Sequence, residues 1–184
     1  MRVLLVNAGA KNHGATQDIL RTAQAALPSG WESELLCLGD CNLRFCRGCK
    51  ACYARGDCFQ QDDVKTILQK MEAADILMIA APSYWADIPA QFKAFIDRCT
   101  PYADTSTHPD HWRLSPGKRC YGIALRAGRR PMECEHILET IAHWCGHMGV
   151  EMAGSAYYCG IDSAADMAPR LPEVRETVEN WFRD

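Results

Sequence analysis

The fold is decided by the stretch Val3-Leu4-Leu5-Val6-Asn7-Ala8-Gly9, in which a short apolar run ends at a glycine turn. An apolar run without alternation is typical of a parallel strand that is buried on both faces. The segment at residues 15–27 carries apolar side chains at helical spacing and stops before Pro28, so it predicts a helix. A buried strand followed by an amphipathic helix is the repeating unit of α/β folds.

Strands and helices continue to alternate along the rest of the chain. Further strands are predicted at residues 31–38, 76–81, 120–125 and 150–158, and further helices at residues 62–73, 89–99, 132–148 and 172–182. Strands and helices that alternate in this way predict a doubly wound parallel sheet, in a single domain over residues 1–184. Ligands of such sheets bind beyond the carboxyl ends of the strands, so the loops that follow the strands are the candidate site.

A cysteine-rich loop at residues 39–61, here called the cysteine loop, follows the second predicted strand. It contains a C-x2-C-x2-C-x5-C array formed by Cys46, Cys49, Cys52 and Cys58. Four thiolates on one short loop suit a 4Fe–4S cluster, whereas structural zinc sites usually divide their ligands between two separated cysteine pairs. The array therefore predicts an iron–sulfur cluster and electron transfer, with a zinc site as the alternative.

Composition argues against several classes of function. The chain has 20 Lys and Arg against 23 Asp and Glu, a net charge of −3, which indicates neither a nucleic-acid partner nor membrane attraction. The apolar run at residues 76–81 is too short to cross a bilayer, and the first residues lack the features of a signal peptide. We therefore expect a cytoplasmic protein whose eleven cysteines are reduced and are used for metal binding or catalysis.

The loop after the first strand has the features of a phosphate site. It contains Gly9, Lys11 and Gly14, and Thr16 lies in the first turn of the predicted helix. Backbone N–H groups at a helix start attract phosphate, and Lys11 adds positive charge. Because the loop lacks both the Walker lysine motif and G-x-G-x-x-G, a single phosphate such as that of FMN fits it best. The alternative is an ordinary polar turn between strand and helix.

The loop after the strand at residues 76–81 begins Pro82-Ser83-Tyr84-Trp85. Two adjacent aromatic side chains on the ligand side of a sheet can flank a planar ring, and the backbone beside them can bind the ring edge. The alternative is that both aromatic side chains pack in the core.

The loop after the fourth strand, Arg126-Ala127-Gly128-Arg129-Arg130, is strongly basic. Its charge is suited to a second phosphate, such as that of NADPH, and Arg126 and Gly128 are the candidate contacts. A solvated turn without a ligand is the alternative.

Taken together, these motifs resemble the NADPH-dependent FMN reductase family. The resemblance is carried by residues 7–16, by the cysteine array followed by Asp62-Asp63, and by residues 82–85 with Lys93 and Asp97-Arg98. Within that family the chain resembles the iron–sulfur flavoproteins most. The resemblance implies a flavodoxin-like, three-layer fold with strand order 2-1-3-4-5, bound FMN, and assembly as a homodimer or homotetramer.

The resemblance also implies roles for individual residues. The FMN phosphate would be held by Lys11, His13, Gly14, Ala15 and Thr16. The ribityl chain and ring would contact Pro82, Ser83, Tyr84 and Trp85, and the cluster would be ligated by Cys46, Cys49, Cys52 and Cys58. The family favours hydroxyl side chains where this sequence has Ala8, Ala10 and Ala15. Phosphate binding would therefore depend on backbone N–H groups, Lys11 and Thr16.

The leading hypothesis is an FMN-dependent oxidoreductase of the NAD(P)H-dependent type. Its donor would be a nicotinamide nucleotide or reduced ferredoxin, and its acceptor a small molecule or a protein. Two alternatives stay open: a non-catalytic electron carrier for ferredoxin-type partners, and a zinc-stabilised binding protein on the same scaffold. Steady turnover with NADH or NADPH distinguishes the enzyme from the carrier, and zinc without iron or flavin would identify the binding protein.

Overall fold

The centre of the molecule is a five-stranded parallel sheet, seen in a computed structural model that describes residues 1–183. Its strands are β1 (Arg2–Asn7), β2 (Glu32–Cys37), β3 (Ile76–Pro82), β4 (Arg119–Arg126) and β5 (Glu151–Cys159). They lie in the order β2-β1-β3-β4-β5, and each neighbouring pair is parallel. This arrangement confirms the predicted doubly wound α/β fold and its flavodoxin-like strand order.

Helices cover both faces of the sheet and give the fold three layers. They are α1 (Ala15–Ala25), α2 (Ala51–Arg55), α3 (Val64–Ala73), α4 (Ala90–Arg98), α5 (Met132–His147), α6 (Ala164–Met167) and α7 (Leu171–Trp181). One face packs against α1 and α7, and the other packs against α3, α4 and α5. Among the described residues, no helix combines the length and the apolar character needed to cross a membrane.

Strand β3 shows why the strands lack apolar–polar alternation. Leu77 and Ile79 pack into the cluster with α3, α4 and α5, whereas Ile76 and Met78 pack into the cluster with α1 and α7. All four side chains are fully buried. Each contributes about 1.5–3 kcal/mol of burial free energy, so a central strand of this sheet gains from apolar residues at every position.

The cysteine loop is less irregular than predicted. The sequence predicts loop throughout residues 39–61, but they contain the five-residue helix α2. This helix starts after Lys50 (φ 57°) and ends at Gly56 (φ 67°), both of which adopt the left-handed conformation. A helix of one turn is too short to give an apolar periodicity, and the sequence pattern therefore does not reveal it.

Candidate functional site

A cleft of about 330 Å³ opens at the carboxyl ends of β1, β3, β4 and β5, and we call it the sheet-edge cleft. The predicted flavin-binding residues that line it are Gly9, Lys11, His13, Gly14, Ala15, Thr16, Pro82, Ser83, Tyr84 and Arg126. Trp85 and Gly128, which were predicted with them, are not among its lining residues. The topology therefore brings four loops, each following a different strand, to one concave surface, the fourth being residues 161–164 after β5.

Asn7 organises the first of these loops, although sequence reasoning did not single it out. Its fully buried amide Nδ2 donates to the Lys11 carbonyl oxygen at 3.0 Å and to Gln17 Oε1 at 2.8 Å, and its Oδ1 accepts from the Gly9 N–H at 2.9 Å. A buried amide that is satisfied in this way rigidifies the loop around it. The sequence feature that could have identified Asn7 is an asparagine directly after the apolar run at residues 3–6.

The start of α1 leaves backbone donors free at the cleft. Gly14 (φ 89°) is the N-cap residue, and no side chain of the described chain caps the helix there. The first N–H groups of a helix lack intrahelical partners and carry partial positive charge. Lys11 and His13 are exposed beside them, and Thr16 is buried. This donor set fits one phosphate group.

Gly39, at the start of the cysteine loop, lies against the same first loop. A Cβ atom at this position would lie 2.3 Å from the carbonyl oxygen of Ala10. Only glycine allows the two backbones to approach so closely. The backbone of the first loop is thus supported from behind by the segment that leads into the cysteines.

The loop that follows β3, residues 82–88, is here called the aromatic loop, and it forms a tight turn. The Tyr84 N–H donates to the Asp87 carbonyl oxygen at 2.9 Å, and the Asp87 N–H donates back at 3.2 Å. Between them, Trp85 (φ 54°) and Ala86 (φ 63°) adopt the left-handed conformation, which costs about 1–3 kcal/mol per residue without glycine. Trp85 is fully exposed and Tyr84 is 45% exposed, so neither packs in the core.

Arg126 is engaged by a network that reaches the cleft through Ser83. Its Nη2 pairs with Glu133 Oε1 at 2.7 Å, and its Nη1 donates to the Arg130 carbonyl oxygen at 2.7 Å. The Ser83 hydroxyl donates to Glu133 Oε2 at 2.7 Å. Gly128 leaves room for the guanidinium, since a Cβ there would lie 2.2 Å from Arg126 Nη2. Glu133 therefore neutralises the charge that a second phosphate would use.

The four array cysteines line a second cleft, of about 220 Å³, which we call the cysteine cleft. Cys46 and Cys49 are exposed, whereas Cys52 and Cys58 are half-buried. Burial raises the pKa of Cys52, and the charges of Cys58, Cys46 and Cys49 raise it further. Across residues 1–183, no three metal-ligating side chains converge into a metal centre. The donor set nevertheless fits a cluster, because a bound metal would relieve the mutual repulsion of these thiolates.

Arg98 and Asp62 form an ion pair beneath the cysteine loop, and their side chains are 2% and 1% exposed. The guanidinium also donates to the carbonyl oxygens of Arg44 at 3.0 Å and Gln60 at 3.5 Å, which flank the array. Asp62 in turn accepts the N–H of Arg44 at 3.0 Å. One buried pair thus joins both ends of the cysteine-bearing segment.

Electrostatics keep this pair ionised. Burial disfavours the charge of Arg98, but its hydrogen bond to Asp62 and the neighbouring Cys58 outweigh burial and raise its pKa. Burial likewise disfavours the charge of Asp62, but the hydrogen bonds from Arg98 and from the Arg44 N–H hold its pKa below the usual range. The pair is therefore charged at neutral pH.

A second set of contacts fixes the far side of the cysteine loop. Asp57 accepts a hydrogen bond from the Tyr102 hydroxyl at 2.5 Å and pairs with the Lys65 ammonium. Burial disfavours the charge of Asp57, but these two partners outweigh it and lower the pKa of the carboxyl. Asp57 precedes Cys58, so this cysteine is held between α3 and the turn that follows α4.

The comparisons with known proteins identify a family and a shared fold. A family model described as NADPH-dependent FMN reductase matches residues 1–156. The chain belongs to the NADPH-dependent FMN reductase family.

Its relatives include an iron-sulfur flavoprotein of Methanosarcina thermophila, which is 36% identical over a 170-position alignment that covers 85% of each protein. An iron-sulfur flavoprotein of Archaeoglobus fulgidus is 32% identical over 108 residues, which cover 58% of this chain and 49% of that protein. The chain spans about half the length of several of the curated relatives it matches. The fold is shared with an FMN-dependent NADH-azoreductase from Bacillus anthracis in complex with FMN, with a TM-score of 0.68, 16% identity, and coverage of 97% of this chain and 98% of that one.

Proposed function

We propose that the protein is an FMN-dependent oxidoreductase that uses NADH or NADPH and carries a 4Fe–4S cluster on its cysteine loop. One observation carries this proposal: the sheet-edge cleft combines an uncapped helix start, basic side chains and an aromatic loop. These are the groups that the phosphate, ribityl chain and ring of FMN require. Membership of the family supports FMN, and the names of the two iron-sulfur flavoproteins support the cluster.

In the sheet-edge cleft, the N–H groups of Ala15 and Thr16 bind the phosphate, and Lys11 compensates its charge. The Ser83 hydroxyl donates to Glu133, so its oxygen is left to accept a hydrogen bond from the ribityl chain. The half-exposed ring of Tyr84 shields one side of the cleft from water. When bound, FMN supplies hydride and single-electron chemistry, and the cluster supplies single-electron chemistry.

In the cysteine cleft, Cys46, Cys49, Cys52 and Cys58 hold the cluster. Exposed basic side chains surround them on the same loop: Arg44, Arg47, Lys50 and Arg55. Positive charge stabilises thiolates and the anionic cluster, and it raises the reduction potential. We expect the electron acceptor to be a small molecule or a protein. The basic surface favours one that is acidic.

The nicotinamide donor, the oligomer and the location follow as further parts of the proposal. Arg126 is the candidate contact for the NADPH phosphate, which would have to displace Glu133 from the guanidinium. Replacing Arg126 with Gln should then raise the KM for NADPH more than that for NADH. The fully exposed Trp85 beside the sheet-edge cleft supports a homodimer or homotetramer in which a second copy covers it. The eleven cysteines support a cytoplasmic location.

Anaerobic purification followed by assays for iron, sulfide, zinc and FMN tests the proposal. We expect about four irons and four sulfides with one FMN per chain. FMN without iron would leave a simple flavin reductase, and zinc without flavin would contradict the proposal. Oxidation of NADH or NADPH by the purified protein then separates an enzyme from a carrier that needs a reductase.

A further inference from the structure

We propose that Arg98 is a positioning residue for the cysteine loop. Its guanidinium holds the two ends of the array together, a contact that we call the pin, and its Nε–H is presented to the sulfur of Cys58. The part that concerns a bound cluster rests on the proposed function. The part that concerns the loop itself does not, because it rests only on the contacts with Arg44, Gln60 and Asp62.

Among the described residues, Arg98 has hydrogen-bond partners for all of its donors except Nε–H. An arginine side chain carries five N–H donors. Nη1 donates to Arg44 and Asp62, and Nη2 donates to Gln60 and Asp62, which uses four of them. The fifth, on Nε, is buried and has no partner in the part of the chain that the structure describes. Burying an unsatisfied donor costs about 1–3 kcal/mol, so an acceptor is expected beside it.

Sulfur is the acceptor that the surroundings offer. Arg98 lines the cysteine cleft together with the four array cysteines, and its Nη2 donates to the carbonyl oxygen of Gln60, two residues after Cys58. A thiolate or a cluster-bound cysteine sulfur accepts N–H hydrogen bonds, and these outer contacts orient ligands and tune metal sites. Nε is the donor of Arg98 that its contacts with the loop backbone leave free.

The pin restricts the conformational freedom of the cysteine loop. Arg44 precedes the array and Gln60 follows it, and one guanidinium holds the carbonyl oxygens of both. The Gln60 side chain adds a hydrogen bond to the Phe45 carbonyl oxygen at 3.2 Å. Closing the loop in advance removes much of the conformational entropy that four converging ligands would otherwise lose. Lysine cannot replace this function, because it lacks the planar fork that reaches several acceptors at once.

Limited trypsin digestion of the metal-free protein tests the pin. Arg98→Lys and Arg98→Gln should be cleaved several-fold faster after Arg47, Lys50 and Arg55 than the unaltered protein, because the loop opens more often. Lys93→Gln is the matched control, since Lys93 lies on the same helix but forms only an exposed pair with Asp97. Equal cleavage rates in all four proteins would overturn the pin.

The midpoint potential of the reconstituted cluster tests the sulfur contact. Arg98→Lys should shift it to more negative values, because an N–H donor to sulfur stabilises the more negative, reduced cluster. Arg98→Gln should do the same and should lose iron faster to a chelator, whereas Lys93→Gln should match the unaltered protein. If Arg98→Gln does not fold by circular dichroism, Arg98→Lys decides the outcome.

The two measurements keep the failures separate. If the unaltered protein takes up no iron, the proposed cluster fails while the digestion still tests the pin. Faster digestion with an unchanged midpoint potential would overturn the sulfur contact, because a merely structural arginine gives that result.

Discussion

The sheet-edge cleft and the cysteine cleft position their ligands by different means. The sheet-edge cleft is formed by loops at the ends of β1, β3, β4 and β5, and the hydrogen bonds of the sheet hold these strand ends in place. The cysteine loop contains one short α-helix, and it depends on the ion pairs Arg98–Asp62 and Lys65–Asp57. Side-chain changes should therefore affect the second cleft far more than the first, and each prediction below tests that contrast.

The largest effect is expected from Cys49→Ser, which removes one thiolate from the array. Iron per chain should fall close to zero, while FMN per chain should stay unchanged because the flavin residues lie in the other cleft. Assays for metal and flavin on the same sample measure both. Cys41→Ser, which alters a cysteine of the same loop outside the cysteine cleft, should keep its iron. Loss of FMN together with iron would show that the clefts are not independent.

Asp62→Asn leaves the buried Arg98 without a counter-charge, and it should lower the free energy of unfolding by about 3–5 kcal/mol at pH 7. The pKa of Asp62 is lowered in the folded state, so its contribution is fully present above the pKa of a free aspartate, about 4. It is lost as the pH falls through the folded-state value. In urea unfolding between pH 7 and pH 3, the free energy of unfolding should thus fall more steeply with decreasing pH for the unaltered protein than for Asp62→Asn. Parallel curves would contradict this role of Asp62.

Gly39→Ala tests the sheet-edge cleft through the backbone of its first loop. The new Cβ must displace the Ala10 carbonyl, which moves the first loop, and the dissociation constant for FMN should rise about tenfold, or about 1.4 kcal/mol. Fluorescence titration with FMN measures it. Iron uptake should be little affected, and unaltered FMN affinity would show that the loop is more adaptable than its contacts suggest.

The smallest effect is expected from Gly146→Ala, which also serves as the control for Gly39. Gly146 lies in α5 and is exposed, and a Cβ added there would meet no atom within 4 Å. Alanine there should raise the free energy of unfolding by about 0.5–1 kcal/mol through helix propensity, without altering either ligand. Thermal unfolding measures the change in stability. A destabilised variant would contradict the placement of Gly146 in a helix with open space for a Cβ atom.

The fold was accessible from the sequence because the sheet is covered on both faces. Apolar runs such as residues 76–81 mark buried strands wherever they lie, and strand ends mark the ligand side. The strand order came from the resemblance to the FMN reductase family. Within the sheet-edge cleft, Lys11, Gly14 and Thr16 were identifiable because their loop directly joins a strand to a helix.

Other features depend on contacts that no local pattern contains. Arg98 and Asp62 are 36 residues apart, and Tyr102 and Asp57 are 45 apart, so neither pair is visible in a sequence window. The exposure of Trp85 was equally inaccessible, since composition alone cannot distinguish an aromatic residue in a core from one at the mouth of a cleft.

The strained turn at Trp85 has a practical consequence. One of the five tryptophans is surrounded almost entirely by water, and its indole should emit at long wavelength. A flavin that approaches it would quench this emission, whereas a second copy of the chain that covers it would shift the emission toward the blue. The protein therefore carries its own optical reporter, in which cofactor binding and self-association leave different signatures.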